Sequence, residues 1–112
     1  LYSVPGVLKN AIDWTAGKPS VFEEPPVALV SAATNAQGGA RAQYDLRRIL
    51  QANRALVMPG PEVFIGGARA KFDAEGRLTD EPARAGLLEL IVAFGAWIER
   101  FRGAAAPQPA LR

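Results

Sequence analysis

Polar and apolar positions along this chain follow two rhythms. From Val4 the apolar residues recur at helical spacing: Val4, Leu8, Ala11 and Ile12 share one face, and Lys9, Asn10 and Asp13 fall elsewhere. Pro5-Gly6 suits the start of a helix, because proline is tolerated in a first turn whose N–H groups lack partners, and Ser3 stands where an N-cap is expected. Gly17-Lys18-Pro19-Ser20 ends this helix. Pro25-Pro26 closes a loop, and Val27-Ala28-Leu29-Val30-Ser31-Ala32 is a short, continuous apolar run. Its lack of alternation predicts a strand covered on both faces, as in a parallel sheet.

Thr34-Asn35-Ala36-Gln37-Gly38-Gly39 is a polar, glycine-rich loop, and a second helix is predicted from about Ala40 to Asn53 with Tyr44, Leu46, Ile49 and Leu50 inward. Ala55-Leu56-Val57-Met58 is a second short strand, stopped by Pro59-Gly60-Pro61, and Glu62-Val63-Phe64-Ile65 is a further extended piece. Lys71 to Leu78 carries a turn signal at its centre and predicts a small hairpin or an exposed loop. Thr79 or Asp80 caps the last helix, and Glu81 complements its dipole. Leu87, Leu90, Ile91, Phe94, Ile98 and Phe101 fall at helical spacing and are assigned to the core. The Ala/Pro-rich segment from Gly103 to Arg112 is expected to be a disordered tail behind a domain portion spanning 1–102.

The predicted order is helix, strand, helix, strand, helix. Buried-type strands alternating with amphipathic helices imply an α/β fold with a parallel sheet. Two strands make a poor sheet by themselves, so the pattern also predicts that the chain is part of a larger α/β domain.

Composition narrows the chemistry. The chain has 112 residues, of which 49% are hydrophobic and 21% charged, which suits a globular protein. The formal net charge is only +2 and the basic residues form no run, so neither a nucleic-acid nor a membrane partner is expected. Cysteine and histidine are both absent. That excludes disulfides, thiolate sites and cysteine nucleophiles, and it removes the commonest general base and metal ligand. No apolar run approaches the ~20 residues that span a bilayer, and a cytoplasmic location is the expected default.

Three stretches carry candidate chemistry. Tyr2 and Ser3 lie in a loop feeding a helix, where hydroxyls and backbone N–H groups reach polar ring edges. At Ser31 a strand opens into the loop containing Gly38 and Gly39. Glycines there permit close approach of backbone to a planar or anionic ligand, and the following helix N-terminus favours negative charge. Equally, the first stretch reads as a plain helix start and the second as a plain turn. Glu62 follows Pro61 at a strand end and reads as a solvated charge by itself. Trp14 and Trp97 suit core or interface positions better than stacking on a planar ligand.

The spelling Tyr2-Ser3-Val4-Pro5-Gly6-Val7-Leu8-Lys9-Asn10-Ala11-Ile12-Asp13-Trp14 closely resembles a segment of the NADPH-dependent FMN reductase family. The stretch Gly38-Gly39-Ala40-Arg41-Ala42-Gln43-Tyr44, at the right distance and after the right kind of strand, is similar to a second motif of that family. The resemblance covers roughly residues 2–101. It implies a flavodoxin-like, three-layer parallel α/β fold, represented here by its C-terminal helix-strand-helix-strand-helix portion. It implies bound FMN, NADPH or NADH as co-substrate, and a small-molecule electron acceptor such as a quinone, azo compound, chromate or flavin. It assigns Tyr2, Ser3, Ser31, Gly38 and Gly39 to the cofactor pocket. Arg41, Tyr44 and Glu62 go to contacts of a homodimer or homotetramer, with Arg41 and Glu62 as an ion pair. No side-chain acid or base is required, because the flavin carries the chemistry. The family's phosphate loop, of the type G-S-x-R-x-x-S-x-N, does not occur in the sequence, and Leu1 stands where the family has Asn. Weak FMN binding and little reductase activity are therefore expected of this polypeptide alone. The alternative is a non-catalytic α/β fragment serving as an oligomerisation or binding partner.

Overall fold

The computed structural model describes residues 1–17 and 24–103. The expected end of the first helix at Lys18-Pro19-Ser20 and nearly all of the expected tail lie outside the described residues. Helix α1 runs Gly6–Thr15, strand β1 Pro26–Val27, β2 Val30–Ala32, helix α2 Ala40–Ala52, β3 Leu56–Val57, β4 Val63–Ile65 and helix α3 Glu81–Phe101. A short 3₁₀ turn covers Ala68–Ala70.

Both ladders are parallel: β1 pairs with β3 and β2 with β4, the latter in the register Val30↔Val63, Ser31↔Phe64 and Ala32↔Ile65. The apolar run predicted as one strand is thus split, and its neighbour is two short strands interrupted by Pro59-Gly60-Pro61. Side chains alternate across a strand. Ser31 and Phe64 accordingly face α2, through Gln43 and Tyr44, whereas Val63 and Ile65 face α3. The chain is therefore an α/β/α stack of three layers.

Burial corrects two expectations here. β2 is not covered on both faces, since Val30 is 50% exposed. The reason is positional: α3 packs over β1 and β4, and β2 has a strand on one side only among the described residues. Nor is Ile91 a core residue, because it points away from the sheet on the outer face of α3.

The core is the α3 side of the sheet. Met58, Val63, Ile65 and Leu90 are buried together, with Ala93, Phe94 and Trp97 packed against them. Trp97 also donates its indole N–H to the Leu56 carbonyl at 2.7 Å, fixing the C-terminal half of α3 to β3. The helix starts as expected at Asp80, whose carboxylate accepts from the Ala83 N–H at 3.0 Å, with Glu81 in the first turn. Phe72 and Leu78 form a single antiparallel bridge around a turn in which Asp73 accepts from the N–H groups of Glu75 and Arg77.

The start of α1 differs from expectation. The boundary residue is Pro5, whose carbonyl accepts the Lys9 N–H at 3.0 Å, and no side chain caps the helix. Ser3 sits too early to reach the first turn and donates instead to Asp45 of α2 at 2.6 Å. Only Ile12 of α1 is buried, and Trp14 is 80% exposed.

Two glycines separate packing from conformation. A Cβ on Gly38 (φ +60°) would stand 2.7 Å from backbone atoms of Phe64 and Gly66, whereas Gly67 (φ +59°) has open space around it. Gly38→Ala is expected to cost well over the ~1 kcal/mol that the positive φ imposes at Gly67→Ala. Urea midpoints of the two variants at equal slope check this ordering.

Candidate functional site

A cavity of about 520 Å³ opens beside β2, within the size range of small-molecule sites. One wall is the N-terminal segment, with Tyr2, Ser3, Val4, Pro5 and Leu8. The floor is the end of β2 and its loop, with Val30, Ser31, Asn35 and Gln37. The third side is the start of α2, from Gly39 to Gln43, with Leu46. The lining is largely apolar, and Arg41 is the one charged side chain among the described residues that line it.

Of the residues predicted for cofactor contact, Tyr2, Ser3, Ser31 and Gly39 are brought to this cavity. Gly38 is not at its surface. It is buried against the β4 backbone, so its missing side chain serves the packing of protein on protein rather than the approach of a ligand. Gly39 (φ +86°) is likewise pressed on Ser31, 2.8 Å from where its Cβ would lie. The two serine hydroxyls are already engaged. Ser3 donates to Asp45, and Ser31 donates to the Gly38 carbonyl at 2.6 Å.

Gln43 holds this arrangement and is only 2% exposed. Its Nε2 donates to Ser31 Oγ and to the Val63 carbonyl, both at 2.8 Å, while its Oε1 is enclosed and has no hydrogen-bond partner among the described residues. One amide thereby ties α2 to β2, to β4 and, through Ser31, to the loop. Tyr44 was expected to point inward; it is 51% exposed, because Gln43 takes the inward position and Tyr44 lies edge-on to Phe64 at the rim. The signal for Gln43 was present in its spacing, three residues before Leu46 and seven before the buried Leu50. Amphipathic reading passes over a polar residue on an apolar stripe.

Arg41 and Glu62 do not meet within the chain. The Arg41 guanidinium stacks on the Tyr2 ring at 4.3 Å from its centroid, a cation–π contact that holds the N-terminal wall. Glu62 lies outside the cavity, beside the Tyr44 hydroxyl, whose pKa it raises. The start of α2 has no side-chain cap and no acidic residue in its first turn, so its dipole is left to act on whatever occupies the rim.

The NADPH-dependent FMN reductase family model matches residues 1–70, more than half of the chain. The chain belongs to the NADPH-dependent FMN reductase family. It is 43% identical over 103 residues to an NAD(P)H-dependent FMN reductase from Pseudomonas aeruginosa, covering 91% of this chain and 56% of that protein. It is 40% identical to a quinone reductase from Escherichia coli K12, over 90% of this chain and 55% of the relative. Among solved structures it superposes on the flavoenzyme NAD(P)H:(acceptor) oxidoreductase FerB of Paracoccus denitrificans with a TM-score of 0.78 at 32% identity, covering 88% of this chain and 56% of that one. The chain thus spans about half the length of the curated relatives it matches. The parallel three-layer architecture is the flavodoxin-like fold expected from the sequence. No described helix is long and apolar enough to cross a membrane.

Two measurements check the geometry. Gln43→Leu keeps the bulk but leaves the Val63 carbonyl and Ser31 without their donor, and is expected to cost ~1–3 kcal/mol of stability in urea unfolding. Tyr44 titrates above its ordinary value of 10.0, because its hydroxyl donates to Glu62 and the adjacent negative charge resists a second one. A folded pKa above the unfolded one means this contribution is complete below pH 10.0 and is lost as pH rises through the folded value. Glu62→Gln should move the Tyr44 phenolate transition, followed by ultraviolet absorbance, back down.

Proposed function

We propose that the chain forms one wall of an FMN site in an NAD(P)H-dependent oxidoreductase of small-molecule acceptors. The observation that carries this reading is the cavity itself, where two motifs distant in sequence converge: the Tyr2–Leu8 wall and the Gly39–Gln43 helix start. The names of the relatives point to quinones and flavins as acceptors, and we extend the class to azo compounds and chromate. A cytoplasmic site of action goes with the intracellular supply of NAD(P)H.

The residues fit the ring end of the cofactor. Val4, Pro5, Leu8 and Leu46 give apolar walls, and the N–H groups at the α2 start suit ring carbonyl oxygens. Because the hydroxyls of Ser3 and Ser31 are spent on Asp45 and Gly38, they act by fixing backbone positions. Tyr2 closes the wall under Arg41. Bound FMN would supply the hydride acceptance and electron transfer, while these residues orient it and exclude water. Arg41 alone offers no phosphate clamp, and each missing charge-assisted bond forfeits ~1.5–3 kcal/mol.

Arg41, Tyr44 and Glu62 are offered as oligomer contacts, with Glu62 exposed beside Tyr44 and available to an arginine of a second copy. The second reading is a non-catalytic α/β fragment that binds partners, and the exposed Val7 and Trp14 of α1 are the observation that favours it.

Titration of FMN and riboflavin against the chain, followed by flavin fluorescence, separates these readings. Weak binding of both with similar affinity is expected, together with little NAD(P)H–quinone turnover. Binding of neither flavin would overturn the proposal and leave the partner-binding reading. Stoichiometric FMN carried through gel filtration would refute the expected lack of a phosphate clamp.

A further inference from the structure

We propose, resting on the flavin reading above, that Asp45 is a positioning residue of that site: together with Arg41, one helical turn before it, Asp45 clamps Tyr2-Ser3 and so holds the N-terminal wall of the cavity in place. Arg41 and Asp45 stand four residues apart on α2 and share one face of the helix. They meet two consecutive residues of the wall. The Arg41 guanidinium lies over the Tyr2 ring at 4.3 Å from its centroid, and Asp45 Oδ2 accepts from the Ser3 hydroxyl at 2.6 Å. The other carboxylate oxygen, Oδ1, is 3.8 Å from Arg48, so that ion pair does not compete for the oxygen that holds Ser3.

Little else holds the wall. Among the described residues, the Ser3–Asp45 bond is the one hydrogen bond that joins residues 1–17 to the remainder of the chain. Helix α1 behind the wall buries only Ile12. Tyr2 has φ +69°, in the left-handed region that a residue with a Cβ rarely adopts. Such a conformation persists where its surroundings over-determine it, and it is found at ligand clamps. Here the Tyr2 ring is fixed under Arg41, and the hydroxyl of the next residue is fixed on Asp45. Releasing Ser3 lets Tyr2 relax to negative φ, which turns the Tyr2-Ser3 peptide and carries Val4 and Pro5 away from the cavity they line. Asp45 does not line the cavity itself, so it acts on a ligand only through Ser3. A carboxylate suits this task, because a charged acceptor makes the shorter and stronger bond to a hydroxyl.

Two readouts on the 112-residue chain test this: riboflavin binding, followed by flavin fluorescence, and amide exchange at Lys9, whose N–H is held by the Pro5 carbonyl. Riboflavin is the probe because its neutral ring is insensitive to the charge removed with Asp45. Asp45→Ala is expected to weaken riboflavin binding ~3–10-fold, the range set by losing one exposed hydrogen bond. It should also speed exchange at Lys9 and leave exchange in β4 unchanged. Asp45→Asn keeps an oxygen acceptor and should restore most of both. Ser3→Ala should match Asp45→Ala, and the double variant should lose no more than either single one, because both remove the same bond. An Asp45→Ala chain that binds riboflavin as tightly as the parent, losses that add in the double variant, or no rescue by Asp45→Asn overturns the assignment. Exchange that quickens equally in β4 overturns it too, since that marks a general loss of stability. Absence of riboflavin binding by the unaltered chain overturns the site and the assignment together, whereas binding that is indifferent to Asp45 overturns the assignment alone.

Discussion

The buried amide of Gln43 is the constraint around which this structure is arranged. Its two donor hydrogens are both used, one on Ser31 and one on the Val63 carbonyl, and Ser31 passes the connection to Gly38. Three bonded groups in a chain polarise one another in a medium of low dielectric. The result is that α2 cannot slide along the sheet without breaking contacts to β2, β4 and the loop at once. Gly38 and Gly39 follow from this. The loop is drawn so close to β4 and Ser31 that no side chain fits at either position.

That constraint shapes the site. Hydroxyls near a ligand cavity invite assignment as ligand contacts, yet those of Ser3 and Ser31 hold the scaffold. What remains at the rim is backbone, apolar surface and the Arg41–Tyr2 stack. Recognition by shape and backbone donors suits a flat, largely apolar ring, and it needs no histidine, cysteine or carboxylate. The missing residue types thus stop being a puzzle once the chemistry is assigned to a cofactor.

Much of the fold was legible in the sequence. Helix and strand order, the Asp80 cap and most of the α3 stripe follow from periodicity and local turn chemistry. The failures share a cause, which is that one-dimensional patterns do not say what lies across the next layer. Val27 to Ala32 read as a strand buried on both faces because apolar runs usually are, but α3 reaches only part of it. Ser3 read as a cap because serine before proline commonly is, but Asp45 competes for it from another helix. Tyr44 and Gln43 exchanged roles for a similar reason: hydrophobicity ranked them one way, and the Val63 carbonyl and Ser31 hydroxyl that Gln43 reaches ranked them the other. The candidate site was legible as two motifs that the family resemblance assigns to one pocket; what neither motif encodes is that Gly38 packs on β4 and that the Ser3 and Ser31 hydroxyls are engaged within the chain.

Helix α3 shows how surplus hydrophobicity is to be weighed. A helix needs an apolar stripe of roughly 100° to bind a sheet, and Leu87, Leu90, Phe94, Trp97 and Phe101 already provide one. Leu88, Ile91 and Val92 lie beyond that stripe and contribute little to burial within the chain. Scattered exposed apolar residues on a folded protein are ordinary.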